Sequence, residues 1–187
     1  MVMRTKNGVR LPLGGEGLWV NMSAKGTYKF YVPDIETQQI AFLGTAREGS
    51  GNEGEGTLVG LAIRLKIVNG LITEAEQLVV RPESTSSATG GFTSNVGAAV
   101  EKMGEPHPIY REVIPEAERP TREELIKTAD YYFTGMQKND GKGYYPFTDD
   151  CHRIENGMPA TNVPLKPGET RPDPKTAKMY SATWGCK

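Results

Sequence analysis

Histidine and cysteine are scarce, with two of each in 187 residues. Two cysteines, Cys151 and Cys186, make no disulfide framework. On compartment grounds they read as two free thiols, with a single disulfide as the alternative for an exported protein. No Cys-x-x-Cys or His-Glu-x-x-His spacing occurs, so no common zinc site is expected. A surplus of charge is missing too: 22 Lys and Arg stand against 23 Asp and Glu. Without a basic excess to displace counterions, nucleic acid is not an expected partner. No apolar run reaches the roughly 18 residues of a membrane span. The first residues, MVMRTKNGVRLPLG, lack the apolar centre of a signal peptide. The cytoplasm is slightly favoured, and a signal peptide upstream of Met1 is compatible with the same facts. A phosphate-cradling loop is absent as well, because the glycine-rich stretch REGSGNEGEG carries Glu48, Glu53 and Glu55, which repel phosphate. No cofactor is expected.

What the chain does contain is turn formers, 22 Gly and 13 Pro, around several β signals. Thr27 to Val32 is β-branched and aromatic, and Gln39 to Ala46 follows a polar turn. Val59, Leu61, Ile63, Leu65 and Ile67 alternate strictly, which marks a strand with one apolar face. Asn69-Gly70 accepts the positive φ angles of a type I′ hairpin turn, and Leu71 to Val80 returns as the partner strand. Residues 1–80 therefore read as a curved antiparallel sheet with one short helix near Gly17 to Ser23. Residues 81–119 are rich in Pro, Ser, Thr and Gly and read as a linker with a short helix over Asn95 to Met103.

Residues 120–187 begin with the best helix in the chain. Thr121 and Glu124 form a capping box, and Leu125, Ala129, Tyr132, Phe133 and Met136 lie on one apolar stripe, expected to face a core. Asn139-Asp140-Gly141 ends the helix, and the aromatic loop Tyr144-Tyr145-Pro146-Phe147 leads to Asp149-Asp150 and CHRIENGM, residues 151–158. This last stretch has an echo: Arg153-Ile154-Glu155-Asn156-Gly157 repeats the pattern of Arg4-Thr5-Lys6-Asn7-Gly8, about one domain length away.

The phrase TADYYFTGMQKNDGKGYYPFTDDCHRIENGMPATN, with NGVRLPLGGEGLW as its counterpart near the start, resembles the tandem SnoaL-like (nuclear-transport-factor-2-like) proteins of bacteria and fungi. The resemblance covers most of residues 1–80 and 121–162. It implies an α+β fold, the cone-shaped barrel in which a curved antiparallel sheet and packing helices enclose a deep apolar pocket. Here the first repeat lacks its leading helices and the second lacks its strands. The favoured expectation is that the chain spans parts of two repeats of a larger protein. The other arrangements are a permuted single domain and a homo-oligomer completed by exchange between subunits.

The resemblance implies a site for a small, largely apolar organic molecule, with cofactor-free acid–base chemistry of isomerase, dehydratase or lyase type where the protein is an enzyme. The alternative is a non-catalytic ligand-binding or assembly module. Asp149 and Asp150 are the first candidates, since a carboxylate raised towards neutrality by an apolar cavity can abstract a carbon-bound proton; the competing role is to cap a turn. His152 is the third. On a strand, Cys151 and Arg153 share one face and His152 and Ile154 the other, so the motif cannot converge on one pocket. Ile154 makes the His152 face the one expected to point inward. Cys151 is set aside as a nucleophile because His152 points away from it. Tyr144, Tyr145, Arg153, Trp19, Tyr28 and Arg64 are the candidate ligand contacts. Arg64 lies opposite the apolar row of its strand and is either exposed or a polar anchor.

Overall fold

The computed structural model describes residues 3–6, 9–10, 17–49, 55–82, 96–138, 147–148, 150–179 and 181–185, with the backbone alone for 3–6, 9 and 136–138. The fold is α+β. Four long antiparallel strands, β3 (Met22–Asp34), β4 (Gln39–Glu48), β5 (Thr57–Val68) and β6 (Leu71–Val80), form a meander. Two short strands extend it: β1 (Met3–Lys6) pairs parallel to β6, and β2 (Val9–Arg10) pairs back on β1. The order is β2-β1-β6-β5-β4-β3. The end strands β2 and β3 are not paired to each other, so among the described residues the sheet is open and no barrel closes.

Alternation divides the sheet into two faces. The first carries Phe42, Gly44 and Ala46 of β4, Val59, Leu61 and Ile63 of β5, and Ala75, Gln77 and Val79 of β6. A one-turn helix, α1 (Leu18–Asn21), sets Leu18 on this face. Leu18, Ala46, Val59, Leu61 and Val79 make the buried core, with Phe42 and Ile63 packed against it. Each of the larger residues contributes roughly 1.5–3 kcal/mol by leaving water.

The second face is covered by α2 (Val96–Lys102). Two glycines make the close approach possible. A Cβ on Gly60 would lie 2.6 Å from Val96 Cγ1, and one on Gly97 would lie 2.7 Å from the backbone of Leu58. Glu101 fastens the other end of α2: its Oε1 accepts from the Thr27 amide at 2.9 Å and from the Thr45 hydroxyl at 2.9 Å. At the sheet corner Arg81 makes a two-pronged pair with Glu48, at 2.5 and 2.6 Å. The β5–β6 turn is the expected one, with φ 52° at Asn69 and 75° at Gly70.

The chain divides into two compact units, Met1–His107 with Asn156–Met158, and Pro108–Glu155 with Pro159–Lys187. In the second unit α3 (Arg122–Lys138) starts at the expected capping box. The Glu124 amide donates to Thr121 Oγ1 at 3.2 Å, and the Thr121 amide donates to Glu124 Oε2 at 2.8 Å. The apolar stripe of α3 does not face a core as expected: Leu125 and Phe133 are 55% and 66% exposed. Tyr132 is half-buried, edge-on to Phe133 and to Phe147.

The hairpin of β7 (Ile154–Glu155) and β8 (Met158–Pro159) turns at Asn156 and Gly157, with φ 51° and 80°. Its echo near the start is also a hairpin, since Lys6 pairs with Val9 across the Asn-Gly positions. After the hairpin the chain folds on itself through polar contacts. Cys151 O accepts from Asn162 Nδ2 at 2.7 Å and from Thr161 Oγ1 at 3.2 Å. The tail runs back alongside, with Asn162 N donating to Trp184 O and Val163 N to Ala182 O. Cys151 is disulfide-bonded, and the only other cysteine in the chain is Cys186. The expectation of free thiols is therefore corrected, and with it the ground for favouring the cytoplasm.

Candidate functional site

One row of side chains crosses the first face at right angles to the strands. Gln77 on β6 stands opposite Ile63 on β5, Ile63 opposite Phe42 on β4, and Phe42 opposite Tyr31 on β3. The Phe42 ring lies over Gly44, where a Cβ would sit 2.3 Å from Cζ. It meets the Tyr31 ring at a centroid distance of 5.0 Å and a tilt of 42°. On one side the row abuts the core under Leu18. On the other side Leu65 and Ile40 continue the apolar surface, both half-buried. The row is thus an apolar floor about three strand spacings, roughly 14 Å, long. It runs from Gln77, buried, to Tyr31, exposed, and beyond Gln77 the register continues to Lys6 of β1.

The residues singled out from the sequence are placed apart from this row. Arg64 lies on the opposite face and is half-exposed. Its Nε donates to Glu76 at 2.8 Å, Nη2 to Glu74 at 2.7 Å and Nη1 to Gln39 at 2.6 Å. Hydrogen bonds to Glu76 and then Glu74 push its pKa upward, and the same bonds hold both carboxyls below the usual range. Arg64 is thus the centre of a cross-strand polar cluster. Tyr28 is buried in β3, while Trp19 on α1 is exposed.

Asp150, His152 and Arg153 belong to the second unit. Asp150 is exposed, and its carboxyl is held below the ordinary value by the Thr148 hydroxyl, by its own amide and by His152. The raised pKa expected of a cavity carboxylate is not found there. The inward and outward faces of the motif are also the reverse of those expected. His152 and Ile154 are exposed, whereas Cys151 and Arg153 are half-buried. The Arg153 amide donates to Thr161 Oγ1 at 2.7 Å and its Nη2 lies 3.3 Å from Glu155. Asp149, Tyr144 and Tyr145 lie outside the described residues.

Among the described residues, no group of three or more His, Cys, Asp or Glu side chains could hold a metal ion. No helix there is long and apolar enough to cross a membrane.

Residues 118–184 match a family model described as a domain of unknown function, DUF8021. The match takes in α3, the β7–β8 hairpin and the tail as far as Trp184. No curated protein and no solved structure matches the chain.

The residue that sequence reading passed over is Gln77. Its signal was faint: a lone polar side chain at a position alternating with Ala75 and Val79.

Proposed function

We propose that the chain binds a small, largely apolar organic molecule against the first face of the sheet. The observation that carries this reading is the half-buried floor of Ile63, Phe42 and Leu65, which continues the sealed core and ends in polar groups. Ligand sites have this composition, mostly apolar with few polar groups to orient the guest. The antiparallel meander with short helices packed on both faces supports the SnoaL-like cone as the fold reading. Binding without turnover is favoured over acid–base catalysis, because Asp150 is exposed and held ionised rather than poised near neutrality.

The test is a fragment screen on isotopically labelled protein. Apolar fragments are expected to shift backbone amides of residues 40–44, 61–65 and 75–79, and Ile63→Ser is expected to weaken them. Shifts confined to other parts of the chain would sink the reading. Turnover of a bound compound that disappears in Asp149→Asn or Asp150→Asn would restore the catalytic alternative.

A further inference from the structure

Asn21 is the single asparagine of the chain with Ser or Thr two positions on and no proline between: Asn21-Met22-Ser23. That spacing is the acceptor pattern for N-linked glycosylation. A three-residue pattern arises readily by chance, so its surroundings decide its worth. Asn21 closes the one-turn helix α1 and is exposed. Of the α1 residues only Leu18 is buried, while Trp19 and Val20 are 66% and 54% exposed, and Met22 beyond the helix 46%. A bulky hydrated group on Asn21 Nδ2 therefore meets solvent rather than the core. The backbone that would carry it is fixed. The Asn21 amide donates to Gly17 O at 3.2 Å, and the Asn21 carbonyl accepts from the Gly49 amide at 2.9 Å. Met22 is extended, with φ −70° and ψ 115°, and opens β3, an end strand of the sheet. The second, independent observation is the disulfide at Cys151. A structural disulfide belongs to a chain that matures in an oxidising compartment, which is also where asparagine side chains meet the glycosylation machinery.

We propose that Asn21 is the acceptor of an N-linked glycan. The donor is an oligosaccharide carried on a polyisoprenyl diphosphate. Asn21 Nδ2 attacks C1 of the first sugar, and the new C–N bond replaces the C1–O bond. The lipid diphosphate leaves with the electron pair, and Nδ2 gives up one proton to a base of the transferase. An amide nitrogen is a weak nucleophile, because its lone pair is delocalised into the carbonyl. The transferase must therefore hold the acceptor, and the Ser23 hydroxyl is the handle. In the folded chain that hydroxyl donates to Glu55 O instead. Transfer thus precedes the docking of residues 22–23 against the Glu55 carbonyl. The product has a use in the folded protein. Trp19, Val20 and Met22 form an exposed apolar skin at the start of an end strand, the kind of surface on which another chain can add. A glycan rooted among them covers it with hydrated sugar.

The test directs the full chain into the secretory pathway of yeast. Its mass is read in cells and medium together, so that a variant that fails to fold still reports. The wild type is expected to exceed its sequence mass by one oligosaccharide. Peptide-N-glycosidase should remove the excess and convert the Asn21 side chain to a carboxylic acid. Asn21→Gln, which keeps an amide, and Ser23→Ala are expected to abolish the shift, and Ser23→Thr to retain it. A wild type of unshifted mass overturns the proposal, and so does a shift that survives Asn21→Gln. On warming, the enzymatically stripped protein is expected to scatter light before the glycosylated one; coincident onsets overturn the shielding role.

Discussion

Reduction of the bridge at Cys151 should unfold the tail of the second unit. The bond closes a loop of about 36 residues to Cys186. Loop-closure entropy for that length is worth about 4 kcal/mol at 25 °C. Little else can replace it. From Cys151 onward, the described residues include only two buried ones, Ala160 and Thr161. Burying one alanine contributes about 1 kcal/mol at most. Among the described residues the rest is mainly exposed or half-exposed hydrogen bonds, such as the indole N–H of Trp184 donating to Pro172 O at 2.7 Å. A net stability of a few kcal/mol is all that a segment of this size holds, so the bond accounts for most of it. Trp184 is also the reporter. The chain has two tryptophans, and Trp19→Phe leaves Trp184 alone. Urea unfolding followed by Trp184 emission should show a cooperative transition in the oxidised protein. For a slope of about 1 kcal/mol/M, loss of the bond moves the midpoint down by about 3–4 M, which for this segment means that no folded baseline remains. Cys151→Ser and Cys186→Ser should each reproduce the reduced curve. Oxidised and reduced curves that superimpose would refute the argument. So would two titratable thiols in the unreduced, urea-unfolded chain.

Two further outcomes follow from the way α2 sits on the sheet. Burial pushes the Glu101 carboxyl up, but the Thr27 amide, the Thr45 and Thr27 hydroxyls and Arg47 together hold it below the ordinary value. A depressed folded pKa means that the stabilisation is complete above the unfolded value, about 4.3, and is lost as pH falls through the lower folded one. Thermal melts between pH 7 and pH 3 should therefore decline less steeply on the acid side in Glu101→Gln than in the wild type; identical slopes would contradict this. Gly97→Ala places a Cβ 2.7 Å from Leu58 C and O, which are backbone atoms and cannot swing aside. The helix must lift, at a cost of about 1–3 kcal/mol in chemical denaturation, and a change below about 0.5 kcal/mol would show that the contact is not rigid.

Local signals in the sequence were read correctly where they were self-sufficient. The Asn-Gly pair at 69–70 carries its own conformational preference, and so does the pair at 156–157; both turn where expected. The capping box needs only Thr121 and Glu124, and it forms. Signals that depend on a partner were not legible. The stripe on α3 declares an apolar face but not what covers it, and Phe133 stays exposed. The cysteines declare no pairing, because the spacing between 151 and 186 matches no framework. The CHRIENGM stretch shows both sides of this. Its turn was legible, while its inner face was assigned from Ile154 alone. In the structure the polar contacts of Arg153 and Cys151 with Thr161 and Asn162 turn the other face inward.

The placement of Gln77 was hidden for a sharper reason. A two-residue turn at Asn69-Gly70 pairs Val68 with Leu71 and Ile67 with Ile72. Continued without interruption, that register would set Ile63 opposite Glu76 and Arg64 opposite Ala75. Two carboxylates would then share the apolar face, and the arginine would look at a methyl group. A register shift between Lys66 and Ile67 prevents this, pairing Lys66 with Glu74, Arg64 with Glu76 and Ile63 with Gln77. One extra residue reverses every side chain beyond it. The same bulge therefore builds the Arg64–Glu74–Glu76 cluster on one face and sets Gln77 on the other, between Ile63 of β5 and the Lys6 position of β1. Charge pairing on the outer face explains why Glu74 and Glu76 are turned out. It also delivers Gln77 inward, because the alternation of β6 leaves no other position for it.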